Sequence, residues 1–378
     1  MFRNILSYEA TTEKKISPKQ FIYLIVSVVL STATIFLPSI VASKAEQDSW
    51  MSVIMATTFS IPVFCLYYGI STIFKDKTLF SFLEDIFGKI IGKIIASLYL
   101  LFFIHLAVIM LRELFEIMRG AFMPKTPPIV FSLALMIVAS YAVTKGFVAI
   151  ARMNEVVFPF GMGLLGFVIF FSMPYVKLEN FLPILANGLL PPMKGALPLI
   201  SWMLESVIIL AIFPHISDSK KVLKSGVISL LFISFALMLG VLAIGIFGSK
   251  TTADFKFTAL EMTRTIRLSN YFARLDSIIM AIWVEGIFMK ITVFTYIIVK
   301  GFSDVLNFED YRFAVLPIAA IMIPMSVFVS SNVDELYNFL KDKFFYETVI
   351  FEVILPLFIF FVAKIRKLDK KTNVQQKK

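Results

Sequence analysis

Long apolar runs alternate with short polar ones along the whole chain. Each run reaches about 18 residues or more, enough for one helix to cross a hydrocarbon core of roughly 30 Å. The pattern predicts ten spans, at 20–43, 51–74, 93–118, 128–145, 154–174, 197–216, 223–247, 274–299, 312–332 and 345–365. Apolar and polar residues do not alternate within the runs, as they would in barrel strands. A backbone in lipid must satisfy its own polar groups, so the runs are expected to be helices.

The connections carry a second pattern. In the first five spans they run short (44–50), long (75–92), medium (119–127) and medium (146–153). In the second five they run short (217–222), long (248–273), medium (300–311) and medium (333–344). A repeat of five spans must return upside down, so the expected fold is all-α and polytopic, a five-plus-five inverted repeat of about 20–174 and 197–365. Flanking it are an N-terminal segment, 1–19, and a basic tail, 366–378. Pro38 falls late in the first span and Pro214 late in the sixth. Each proline removes an amide donor and disturbs the preceding turn, so helices 1 and 6 are expected to be broken around a central cavity. The competing reading is a pair of ordinary kinks.

Composition fits this picture: the chain is 58% hydrophobic and 15% aromatic, with mean hydropathy +0.86, too apolar for a soluble domain. The net charge of +10 does not point to nucleic acid, because the basic residues sit between spans and in the tail. With the N-terminus cytoplasmic, 22 Lys and Arg lie inside and 12 outside. That bias puts both termini in the cytoplasm, and Lys250, Lys256, Arg264, Arg267 and Arg274 run against it. The polar N-terminus lacks the pattern of a cleaved signal peptide. A lone Cys65 gives no intramolecular disulfide and no thiolate metal site.

Local strings point to a family. "ISPKQ" (Ile16–Gln20) precedes the first span, "QDSWMS" (Gln47–Ser52) opens the second, and "PKTPP" (Pro124–Pro128) opens the fourth. "ARMNEVVFP" (Ala151–Pro159) opens the fifth, "LENFLPIL" and "GLLPPMKGAL" precede the sixth, and "ARLDSIIMAIW" (Ala273–Trp283) opens the eighth. In order and spacing, over about residues 15–365, these resemble the B subunit of spore nutrient-germinant receptors. That is the spore-germination permease branch of the amino acid, polyamine and organocation transporters. The resemblance implies a LeuT-like fold and a membrane partnership with an A subunit and a lipoprotein C subunit. It also implies a small nutrient ligand, an amino acid above all, sensed in the inner membrane of a spore. Transporting relatives carry glycines in the first-span break, whereas Ser31, Thr32, Ala33 and Thr34 occupy it here, which makes a wide opening costlier. The fifth span has no lysine of the kind that replaces a bound sodium ion in some proton-coupled relatives.

Charges at bilayer depth need a partner or a wet cavity. The candidates are His105, Arg112, Glu113, Glu116, Glu205, Glu285, Lys290 and Glu352. Arg112 and Glu116 are spaced to pair on one helix face, a structural role. Glu205, near the middle of the sixth span beside Ser201, Trp202 and Ser206, is placed to accept a ligand ammonium; the alternative is a hydrogen-bonded core glutamate. Glu285 and Lys290 are five residues apart, about 140° around a helix, and must find partners on other spans. His105 either lines the pocket or is a satisfied core residue. The expected ligand site is therefore Thr32, Ala33, Thr34, Phe36, Phe102, His105, Ser201, Trp202, Glu205, Ser206 and Glu285.

No metal constellation, nucleophile with its base, or phosphate loop is present in the sequence, so neither an enzyme nor a cofactor is expected. "GMGLLG" (Gly161–Gly166) lies within a span rather than after a strand and is read as helix packing. The expected function is a germinant-receptor subunit that binds a small amino acid; an autonomous permease and a ligand-blind channel or scaffold are the alternatives.

Overall fold

The computed structural model describes residues 15–266 and 275–368. Residues 1–14 of the N-terminal segment, Arg267, Arg274 and the tail beyond 368 lie outside the described residues. The helices are α1 (Pro18–Ala45), α2 (Ser49–Ile73), α3 (Leu79–Phe87), α4 (Lys89–Ile117), α5 (Pro128–Thr144) and α6 (Phe147–Ser172). There follow α7 (Leu190–Leu204), α8 (Ile209–Ile212), α9 (Val222–Gly240), α10 (Leu242–Phe247), α11 (Ser249–Asp254) and α12 (Thr258–Thr265). The chain closes with α13 (Asp276–Leu306), α14 (Val315–Phe328), α15 (Val333–Asp342), α16 (Phe344–Val349) and α17 (Leu355–Ile365).

By length and apolarity, seven helical stretches among the described residues suffice to cross a membrane. An eighth is added if Arg312–Phe328 and Val333–Asp342, bent by 98°, make one span. Two features separate this from the expected ten. Pro18–Ile73 runs through the tight turn Glu46–Asp48 as one stretch although it holds the first two expected spans, and α5, with 17 residues, falls short.

Helix α1 is the centre of the bundle, buried along most of its length against α7, α9, α13 and α6. Ser17 and Gln20 form a reciprocal capping box at its start, and Pro18 occupies its first turn. The expected break in this helix is absent: α1 continues through Pro38 to Ala45. Its hydroxyls bond back to their own helix, Ser31 to the Val28 carbonyl at 3.1 Å, Thr34 to Leu30 at 3.3 Å and Ser39 to Phe36 at 2.9 Å. They donate to carbonyls of the ladder rather than opening it.

The sixth expected span does change its winding. α7 ends at Leu204, a 3-10 turn runs over Glu205–Ile208, α8 follows, and a second 3-10 turn at Phe213–His215 contains Pro214. Pro214 thus ends the helix, and the break lies at Glu205. The start of α1 is tied to this end, because Ile16 N–H donates to the His215 carbonyl at 2.7 Å and Ser217 N–H donates to Ile16 at 3.0 Å.

Between α3 and α4 the chain reverses at Gly88, whose φ of +82° suits glycine. Four residues later a Cβ on Gly92 would lie 2.6 Å from Glu84 Cα and 2.6 Å from the Leu83 carbonyl oxygen, so the two helices pack backbone to backbone there. Gly92→Ala is therefore expected to destabilise the bundle by about 1–3 kcal/mol, as overpacking of a closed contact does. Thermal unfolding in detergent checks this, and an unchanged midpoint contradicts the close approach.

Candidate functional site

The 3-10 turn at Glu205–Ile208 is where the site begins. The β-branched Val207, Ile208 and Ile209 crowd the ladder where the α-helix tightens. Glu205 turns into the bundle interior and meets Lys290 from the middle of α13, with the Nζ atom 2.8 Å and 2.7 Å from the two carboxylate oxygens. Lys290 is fully buried and Glu205 is 2% exposed. Lys290 also donates to Thr32 Oγ1 on α1 at 2.7 Å, and that oxygen accepts from Trp202 Nε1 at 3.0 Å. Helices α1, α7 and α13 are thereby linked through one ammonium and one hydroxyl.

Two more carboxylates surround the pair. Glu113 on α4 and Glu352 near the chain's end are both buried and within electrostatic reach of Lys290 and Glu205. Glu352 sits in a π-helical turn, Ile350–Ile354, between α16 and α17. Such a turn frees carbonyls from the regular ladder. Tyr99 Oη donates to the Phe351 carbonyl at 2.9 Å, and Tyr67 Oη donates to that of Glu352.

Thr32, Glu113, Trp202, Glu205 and Lys290 line a cavity of about 10 Å³ with Leu106, Ile109, Met110, Leu340 and Phe344. That is space for about one water molecule, so the site is closed. Ile109 also borders a much larger cavity of about 520 Å³, lined by His105, Ser330, Asn332, Glu335, Asn338, Asp342 and Lys343. Leu340 and Phe344, at the junction of α15 and α16, stand on the closed side of this partition. Phe344 packs on Trp202 at a ring separation of 4.8 Å.

Of the residues expected to form one site, the structure brings together Thr32, Trp202 and Glu205. Ser206 is buried in the adjoining turn with its hydroxyl unpartnered among the described residues, and Ser201 is buried within α7 at 3.5 Å from the Leu197 carbonyl. Ala33 is buried outside the cavity lining. Thr34 accepts from Trp283 Nε1 at 3.3 Å and faces an apolar crevice beside Pro38. Phe36 packs on Phe257 and Tyr337, and Phe102 stacks on Phe351 at 4.4 Å. His105 lies 3.0 Å from Glu347 at the wall of the large cavity. Glu285 faces Gly161 in a separate small cavity with Ser27 and Ser31. Arg112 and Glu116 pair as their spacing predicts, 2.7 Å apart, and Arg112 also donates to the Val327 carbonyl. Lys290, Glu113 and Glu352 join the site beyond the expected residues; their signal in the sequence is only that they are charges at bilayer depth.

A family model described as spore germination protein matches residues 15–333. The chain belongs to the spore germination protein family. Spore germination protein KB of Bacillus subtilis (strain 168) is 27% identical over 96% of this chain and 99% of its own length. The putative spore germination protein YfkT of the same organism is 28% identical over 88% of this chain and 91% of its own length. Among solved structures, MhsT in complex with L-phenylalanine aligns with a TM-score of 0.63 at 15% identity, covering 89% of this chain and 88% of that one. The nucleobase-cation-symport-1 transporter Mhp1, in a closed conformation with bromovinylhydantoin bound, gives 0.59 at 12%, over 89% and 76%. This member of the spore germination family therefore has the LeuT-like fold of polytopic membrane transporters, and family and fold point away from an enzyme.

Lys290 ties Thr32 and Glu205 together from a third helix, which makes it harder to lose than the glutamate alone. Lys290→Met should cost on the order of 3–5 kcal/mol, the usual loss for stripping the partner from a buried charge. Glu205→Gln should cost less, because Lys290 keeps Thr32 and the glutamine side-chain oxygen as acceptors. Thermal unfolding of the two variants in detergent gives the order, and a less stable Glu205→Gln contradicts the arrangement.

Proposed function

We propose that this chain is the nutrient-sensing membrane subunit of a germinant receptor, binding a small amino acid at the closed charged cavity between α1, α4, α7 and α13. The observation that carries the reading is the buried Thr32–Lys290–Glu205 link, set where the sixth span changes its winding. Charged groups inside a membrane protein are costly and mark ligand or ion sites. Structures of the same fold hold L-phenylalanine and a hydantoin, so small polar molecules are ligands the fold accommodates.

Sensing is favoured over transport by α1. An unbroken first helix keeps its backbone donors in the ladder and offers little to an alternating-access cycle. In this reading a ligand that binds one arrangement of α15–α16 and the sixth span more tightly shifts the population toward it, and the shift is passed to an A subunit and a lipoprotein C subunit in the spore inner membrane. In this reading both termini face the cytoplasm, as the distribution of Lys and Arg favours.

Radiolabelled amino acids offered to the purified chain, in detergent and in proteoliposomes, test this directly. Saturable binding without concentrative uptake is the expected result. Concentrative uptake by the chain alone would make it an autonomous permease. If cavity substitutions leave the nutrient preference of spores unchanged, the ligand-blind scaffold is the correct reading.

A further inference from the structure

The ammonium acceptor suggested by the sequence, Glu205, already holds an ammonium. Lys290 has three N–H donors, and its contacts go to Thr32 Oγ1 and both oxygens of Glu205. The remaining acceptor in the cavity wall is Glu113. It is 2% exposed, lines the same cavity, and its Oε1 has no hydrogen-bond partner among the described residues. Behind the pair lies Glu352, fully buried with both carboxylate oxygens unpartnered among the described residues. The cluster is thus rich in acceptors and short of donors, and a buried acceptor left unmade is costly.

We propose that Glu113 accepts the ammonium of the ligand, and that the site selects by net charge, taking small primary amines and neutral amino acids and rejecting dicarboxylic ones. This rests on the reading of the cavity as the ligand site. The Lys290–Glu205 pair is self-neutralising, so the ligand brings the second cation that Glu113 lacks. A second carboxylate on the ligand is one more acceptor in a cluster already short of donors, and a buried acceptor left unmade is costly. The rest of the wall, Leu106, Ile109, Met110, Leu340 and Phe344, is apolar and suits a small aliphatic side chain once Leu340 and Phe344 yield.

The test is thermal unfolding of the purified full chain with methylamine, L-alanine, L-aspartate or glucose as probes. Methylamine and alanine are expected to raise the midpoint, aspartate to leave it unmoved, and Glu113→Gln to abolish the rise. Should the Gln variant fail to fold, Glu113→Asp keeps the charge while withdrawing it. Its half-maximal alanine concentration is expected to rise about tenfold, the loss of roughly one charge-assisted hydrogen bond. An undiminished rise in Glu113→Gln, an unchanged alanine concentration in Glu113→Asp, or equal stabilisation by aspartate overturns the proposal. Stabilisation by glucose alone overturns it while leaving the cavity a small-molecule site, and silence from every probe overturns both.

Discussion

The interior of this bundle is organised around one ammonium group. Lys290 is fully enclosed, and an enclosed cation persists only where its hydrogen bonds are made and a counter-charge lies beside it. Thr32 and Glu205 meet that demand from two other helices. The consequence is geometric: α1, the sixth span and α13 must hold their relative register for the contact to exist. Glu205 reaches Lys290 from the point where α7 gives way to a 3-10 turn, so the local change of winding and the long-range ion pair support each other.

The same constraint explains the contrast between α1 and the sixth span. In α1 the hydroxyls of Ser31, Thr34 and Ser39 are occupied by carbonyls of their own helix, and only Thr32 turns outward to the cluster. In the sixth span the carboxylate itself points inward. α1 contributes a hydroxyl from an intact helix and the sixth span a charge from a tightened one. An intact α1 together with a cavity sized for about one water describes a closed state, walled from the large polar cavity by side chains at the α15–α16 junction.

Much of this was legible in the sequence. Apolar run length gave the helical class, because it follows from bilayer thickness. Glu205 stood out because a mid-span carboxylate is costly. The break in α1 was misread. Hydroxyls and a proline weaken a helix in isolation, but three of the hydroxyls donate to carbonyls of their own helix and tertiary packing along most of its length keeps α1 helical through Pro38. The partner of Glu205 was illegible because 85 residues separate it from Lys290. Glu352 is aimed by a π-helical turn, a one-residue slip that shows in no apolar periodicity. Phe36 and Phe102 carried the chemistry of a pocket, yet they pack on other aromatic rings, and His105 lines the large cavity instead.

The central claim is that Lys290, paired with Glu205, is a fixed element of a ligand cavity completed by Thr32, Trp202 and Glu113. A cryo-EM structure of the full chain with a bound nutrient tests it most directly. The account predicts ligand density between Glu113 and Trp202, with Lys290 still against Glu205 and with Leu340 and Phe344 displaced. Density in the large cavity at His105, or beside Glu285, with the Lys290 cavity closed, would contradict it.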